Sequence, residues 1–221
     1  MRMEGRARVR RRQGIVVVVC CVMSTFWMGM GRAETVKATT VKTPTETATF
    51  AGGCFWGMEK AFGELKGVVA IRVGYTGGTA KQPTYELVCT GRTGHAEAID
   101  VTYDPARMSY EELLEFFFTH HDPTTLNRQG NDVGTQYRSA IFYHTPEQQA
   151  AALRAKEALS QAHVFHDPIV TSIEPAGEFY TAEAYHQQYL QKNPHGYCDI
   201  HLQPAKVRDI LRAARQTPTP H

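Results

Sequence analysis

Cysteine is scarce in this chain, and close cysteine pairs are scarcer. The sequence holds five cysteines in 221 residues. Cys20 and Cys21 fall in an apolar N-terminal stretch, which leaves Cys54, Cys89 and Cys198 for the remainder. These lie far apart in sequence, which excludes the paired spacing of a structural zinc site. An odd number is also unsuited to a purely structural disulfide framework in an exported protein, and points to at least one thiol kept reduced for chemistry. Surplus positive charge is missing too, once the N-terminus is set aside. Residues 1–33 hold seven of the 24 basic side chains and one of the 22 acidic ones, leaving 17 basic and 21 acidic residues, a net charge of about −4. That balance excludes nucleic-acid binding through a basic face. No internal repeat is visible, and no second linker divides residues 47–215.

The N-terminus has its own logic. Arg2, Arg6, Arg8, Arg10, Arg11 and Arg12 precede an apolar stretch from Ile15 to Met30, and Gly31-Arg32-Ala33 follows. Basic, apolar, then small residues is the order of a secretory signal peptide. As a membrane anchor the stretch is short, and Ser24, Thr25, Gly29 and Gly31 interrupt it. The bulky Val19 before Cys20 is unlike a lipid-attachment site. Cleavage near Ala33 is expected, with export to a space such as a bacterial periplasm; a retained anchor is the alternative. Residues 34–46 are Thr-rich and aperiodic and read as a flexible linker, residues 47–215 as one folded domain, and residues 216–221 as a tail.

Within the domain, strand-like runs fall at 47–52, 68–75, 97–103, 139–144 and 169–174. Helical patterns fall at 57–66, 109–119, 146–162, 181–192 and 204–214. Ser109-Tyr-Glu-Glu112 and Thr145-Pro-Glu-Gln148 fit the capping box, with Pro146 at the first helical position. Long irregular stretches at 76–94, 121–138 and 193–203 have the length of functional loops. The mixture predicts an α+β fold, a two-layer sandwich of a mixed sheet with packed helices.

Cys54 stands in Ala51-Gly-Gly-Cys-Phe-Trp-Gly-Met-Glu59, where an extended run gives way to a helical one. A thiol at a helix start meets backbone N–H groups and the positive end of the helix dipole, and both favour the reactive thiolate. The paired glycines permit a tight turn, and Phe55 and Trp56 offer an apolar wall beside the sulfur. Glu97 stands at the entrance to a strand, where burial would raise its pKa enough to hold a proton near neutrality. Asp132 and Tyr137 are polar groups in apolar company, equally open to being a turn cap and a core ring. Cys198 follows Asn193-Pro-His-Gly-Tyr197, a segment in which a thiol has freedom to reach another.

Gly53-Cys-Phe-Trp-Gly57, Gly74-Tyr-Thr-Gly-Gly78, Pro83-Thr-Tyr85, Gly91-Arg-Thr-Gly-His-Ala-Glu97, Gly134-Thr-Gln-Tyr-Arg-Ser139, His186-Gln-Gln-Tyr-Leu190 and Gly196-Tyr-Cys198 occur in order. Together they resemble the peptide methionine sulfoxide reductases of the A type, over about residues 47–203. The resemblance implies that Cys54 attacks the sulfur of methionine S-sulfoxide, protein-bound or free, while Glu97 acts as general acid. It implies that Tyr85 and Tyr137 hydrogen-bond the sulfoxide oxygen, that Asp132 helps fix substrate and a water, and that Phe55 and Trp56 receive the substrate methyl. Cys198 then corresponds to the recycling thiol that resolves a Cys54 sulfenic acid, and a thioredoxin-like dithiol reduces the disulfide. Asp199-Ile-His-Leu-Gln-Pro204 offers no further cysteine, so the form expected is a two-cysteine one. No metal or organic cofactor, no nucleic acid and no stable membrane association after signal removal is expected, and the enzyme is expected to be a monomer. Cys89 is expected to be a buried structural thiol.

Two other readings use the same residues. A cysteine-based peroxidase also forms a sulfenic acid, but needs a cationic arginine beside its nucleophile. A non-catalytic redox-binding module would leave the acid, tyrosines and aromatic pair unexplained. The histidines His120-His121 and His163/His166 suggest a metal site less well than they suggest a helix end, because adjacent side chains diverge by about 100° on a helix. A protonated imidazole there would complement the dipole. His95 and His186 lie inside the family-like runs without an assignable role.

Overall fold

The computed structural model describes residues 44–197 and 200–216. The expected signal peptide, nearly all of the expected linker, the tail from 217 onward and Cys198 lie outside the described residues. In chain order the elements are β1 (Glu46–Gly52), α1 (Phe55–Gly63), β2 (Val68–Thr76), α2 (Tyr85–Cys89), β3 (Ala96–Tyr103), α3 (Tyr110–Thr119), β4 (Arg128–Gln129) and β5 (Asp132–Val133). A 3₁₀ turn (Thr135–Tyr137), β6 (Ser139–Tyr143), α4 (Pro146–Gln161), β7 (Ser172–Pro175), β8 (Tyr180–Thr181), α5 (Tyr189–Lys192) and α6 (Ala205–Gln216) complete the fold. Six strands form one sheet in the order β7-β6-β1-β3-β2-β8, while β4 and β5 form a separate hairpin. The β6–β7 pair is parallel and the other pairs are antiparallel, so the sheet is mixed as expected.

Alternation along the central strands sends the large residues to one face. Ala48 and Phe50 of β1, Val73 and Tyr75 of β2, Ile99, Val101 and Tyr103 of β3 and Ile141 of β6 all enter the main core. The helices α1, α3, α4 and α6 cover that face through Phe55, Met58 and Phe62, Leu113, Leu114, Phe117 and Phe118, Ala152 and Leu159, and Val207 and Leu211. The apolar cluster on the opposite face is smaller, with Ala51, Ala96, Ala98, Ala140 and Phe142 buried. Phe50 lies at the centre, with ring centroids 5.5 Å from Phe62, 6.1 Å from Tyr110 and 5.1 Å from Phe117.

The helix starts follow their caps. Ser109 and Glu112 close a full capping box. Thr145 accepts from the Gln148 N–H, but the Gln148 carboxamide turns to His144 N and the Thr47 carbonyl, so the second box is only half formed. Element ends move by one to three residues: β1 begins at Glu46, whose carboxylate accepts the Tyr103 hydroxyl at 2.7 Å, and α6 runs two residues past its expected end to Gln216. The helix expected over 181–192 is not formed. Its place holds β8, a series of turns and the four residues of α5. Gln188 adopts a left-handed φ of 54°. The Gln187 carboxamide meanwhile bonds Val73 N at 3.0 Å and Val73 O at 2.9 Å, satisfying the edge of β2 instead of extending a helix.

Replacing Phe50 by Ala should lower unfolding free energy by about 3–5 kcal/mol, the cost of deleting a buried aromatic ring. Urea denaturation measures this, and a loss below about 1 kcal/mol would show that the ring does not anchor the core.

Candidate active site

The strand alternation that fills the core also places Glu97. It shares the face of Ile99, Val101 and Tyr103, stands opposite Tyr75 in the β2–β3 register, and is 2% exposed. That face lies under the first turn of α1, and the Phe55 N–H donates to Glu97 Oε2 at 3.1 Å. The unpaired amides of a helix start need acceptors, and here one is a buried carboxyl from a neighbouring strand. Cys54 is the N-cap residue of the same helix and is 8% exposed. The chain reaches it through Gly53 at φ +97°, and a Cβ at Gly53 would stand 2.7 Å from Gln129 Cγ. Gln129 is the β4 partner of Asp132, so the β4–β5 hairpin closes over the glycine turn and delivers Asp132 to the site.

Burial raises Glu97 to about 8, the Asp132 charge adds to the rise, and the Phe55 amide opposes it. The acid is therefore neutral at pH 7. Burial likewise pushes Cys54 up to about 12, with Glu97 and Asp132 acting in the same direction. The Trp56 and Gly57 backbone amides pull downward. This corrects the expectation from the helix start alone: at rest Cys54 is a thiol, because desolvation and two acidic neighbours outweigh the amides. Tyr137 is raised above its ordinary value by burial first, then by Glu97, Tyr85, Asp132 and Cys54. Tyr85 is raised by burial, then by Cys89, Glu97 and Cys54. Cys54, Tyr85, Glu97, Asp132 and Tyr137 thus lie close enough to perturb one another's titration.

The aromatic wall is built from three elements. Phe55 is 1% exposed and packs 5.9 Å from the Tyr75 ring. The Trp56 indole stacks on Tyr189 at 3.7 Å and 13°, and its Nε1–H donates to His186 Nδ1 at 3.1 Å. Glu59 of α1 accepts the Gln188 N–H through both oxygens, at 2.9 and 2.8 Å, and so ties segment 186–192 to the active-site helix. Glu183 accepts from Tyr85 N and from the Tyr75 hydroxyl, each at 2.9 Å. Tyr189, Glu59 and Glu183 were not singled out in the sequence. Their only signal was their place beside His186 and beside the Cys54 helix.

Two further expectations are corrected. Cys89 is exposed at the end of α2, with its sulfur beside the Tyr85 hydroxyl, so it is not a buried structural thiol. His121 is 1% exposed and burial lowers it to about 4, while Nδ1 contacts the Phe117 carbonyl and Nε2 contacts Ser139 Oγ, each at 2.7 Å. It is a neutral bridge between α3 and β6 and not a cation on the helix dipole. His95 braces the 76–94 loop, accepting from Gly78 N at 3.1 Å and contacting the Ala80 carbonyl at 2.8 Å.

Comparison with known proteins gives a consistent result. The family model of peptide methionine sulfoxide reductase matches residues 46–217. Peptide methionine sulfoxide reductase MsrA of Methanothermobacter thermautotrophicus is 60% identical over 153 residues, covering 69% of this chain and 90% of the relative. The crystal structure of Mxr1 from Saccharomyces cerevisiae in reduced form superposes with a TM-score of 0.68 at 39% identity, covering 75% of this chain and 98% of that one. Mxr1 in complex with Trx2 superposes with a TM-score of 0.50 at 27% identity, over 75% of this chain and 97% of that one.

The Glu97 value carries a sign that can be measured. A carboxyl raised from 4.5 to about 8 stays protonated below pH 8, and what its neutral form contributes to stability is lost as pH rises through that value. Infrared difference spectra should show the neutral-acid C=O band disappearing near pH 8 and absent from Glu97→Gln. Loss of the band near pH 4.5 would show a solvated carboxylate.

Proposed function

The chain belongs to the peptide methionine sulfoxide reductase family and reduces methionine sulfoxide with a thiol, and we propose the following roles for its residues. Cys54 Sγ attacks the sulfur of a methionine S-sulfoxide, in oxidised proteins or as the free amino acid. Glu97 donates a proton to the sulfoxide oxygen as the S–O bond weakens. The hydroxyls of Tyr85 and Tyr137 hydrogen-bond that oxygen, Asp132 helps hold substrate and a water, and Phe55 and Trp56 receive the methyl group. The observation that carries this reading is the buried acid bonded to the residue that follows Cys54, with Glu97 Oε2 3.1 Å from Phe55 N. An electrophile activated by protonation needs a neutral acid beside the thiol, and burial supplies one.

The balance is simple. Thiol plus sulfoxide gives Cys54 sulfenic acid plus thioether, so cysteine sulfur is oxidised by two electrons and the sulfoxide reduced by two. Condensation with Cys198 releases water and forms the Cys54–Cys198 disulfide. A thioredoxin-like dithiol then returns both thiols by exchange, a role supported by the yeast relative seen in complex with Trx2. The principal ionisable groups acting on the Cys54 sulfur, Glu97 and Asp132, are acids and not cations. That weighs against a peroxidase, which polarises its oxidant with a cation.

The Arg-rich start, apolar stretch and small residues before Glu34 support export with cleavage near Ala33, to a compartment such as the bacterial periplasm. There, in this reading, the enzyme acts as a monomer.

Single-turnover reduction of resolved S- and R-methionine sulfoxide, without a recycling donor, tests the reading. About one methionine per enzyme from the S epimer alone, with Cys54 and Cys198 then joined, is the expected result; no methionine from either epimer would refute it. Cys54→Ser should abolish turnover. Cys198→Ser should complete one reduction and then stall with a thioredoxin donor, and an unchanged steady-state rate would remove Cys198 from the cycle.

A further inference from the structure

We infer that His186 is a positioning residue that sets the orientation of the Trp56 indole, and thereby the size of the sulfoxide alkyl group the site accepts. The inference rests on the assignment of Phe55 and Trp56 to the substrate methyl. The imidazole is 1% exposed, and its ring centroid lies 5.1 Å from Phe55, 5.6 Å from Trp56 and 4.5 Å from Tyr85. One buried ring therefore abuts three residues of the substrate site.

Packing alone would not select histidine here. An indole N–H can only donate, so Nδ1 accepts from Trp56 Nε1 and the ring proton sits on Nε2. Among the described residues Nε2 has no hydrogen-bond partner, and the nearest carboxylate, Glu183 Oε2, is 3.9 Å away. An apolar filler would avoid burying that polar edge, and what the imidazole gains in return is the bond to Trp56. Burial lowers the His186 pKa, which keeps Nδ1 unprotonated and able to accept.

The geometry divides the work. Stacking on Tyr189 at 3.7 Å fixes the tilt of the indole but leaves it free to slide in its own plane. The bond at 3.1 Å from its edge removes that freedom. His186 is held in turn between the Tyr85 and Tyr185 rings, the latter at 4.2 Å. Losing the acceptor would let the indole swing and widen the pocket without touching the sulfur chemistry at Cys54 and Glu97.

The test compares His186→Leu, which keeps bulk without an acceptor, with His186→Asn, whose Oδ1 replaces Nδ1. Single-turnover kinetics are measured on methionine S-sulfoxide and on the ethyl homologue, ethionine S-sulfoxide. His186→Leu should raise the apparent KM for methionine sulfoxide about tenfold with the maximal rate nearly unchanged, and should reduce the preference for methyl over ethyl. His186→Asn should restore most of both. In a Trp56→Phe background, which has no donor, His186→Leu should add nothing further. The emission of Trp56, read as the difference from Trp56→Phe, should shift in His186→Leu and not in His186→Asn. Equal behaviour of the Leu and Asn variants, an effect confined to the maximal rate, or additivity with Trp56→Phe would overturn the inference. A wild-type enzyme that reduces both sulfoxides equally well would overturn the methyl-pocket assignment, and the inference with it; one that reduces neither would refute the proposed function itself.

Discussion

The hydrogen bond from the Phe55 amide to the buried Glu97 carboxyl is the constraint on which the site depends. It joins the first turn of α1 to the second residue of β3, and so fixes Cys54 and Glu97 relative to each other through rigid elements. Everything around it serves this junction. Gly52 ends β1 and Gly53 turns the chain at a φ that only glycine adopts readily. The β4–β5 hairpin closes over that turn through Gln129, and the segment from Glu183 to Tyr189 closes the other side through Glu59, Trp56 and Tyr85.

Enclosure of this kind changes what a thiol does. A cysteine at an exposed helix start gains from the amides and ionises early. Here desolvation and acidic neighbours reverse the balance, and both groups keep their protons at pH 7. Such a resting state suits a substrate whose sulfur becomes electrophilic only when its oxygen is protonated. In the proposed mechanism the carboxyl and tyrosine hydroxyls supply donors for the oxygen, and the thiol gives up its proton only as the new bond forms.

Much of the fold was legible because its signals were local. Alternation at 97–103 and 139–144, the Ser109 capping box and Pro146 each describe a feature that forms within a few residues. The placement of Cys54 and the aromatic pair at a helix start and of Glu97 at a strand start was legible from contiguous runs. What escaped depends on partners distant in sequence. Residues 181–192 read as a helix, yet Gln187 is drawn to Val73 and Gln188 to Glu59, contacts spanning more than a hundred residues. The thiolate expected of Cys54 failed for the same reason, since Glu97 and burial are tertiary. His121 looked like a helix-end cation until Ser139 and the core were seen around it. Cys89 faces outward because α2, a short helix capped by Thr84 inside an irregular stretch, turns it there.

The central claim is that Cys54 rests as a thiol, and the thiolate absorbance of the reduced enzyme near 240 nm tests it directly when followed from pH 5 to 10 against Cys54→Ser. With Cys54 pushed up to about 12, the difference should stay flat across this whole range. A thiolate step of one equivalent near pH 7 would contradict the account and return the helix amides to control of the sulfur.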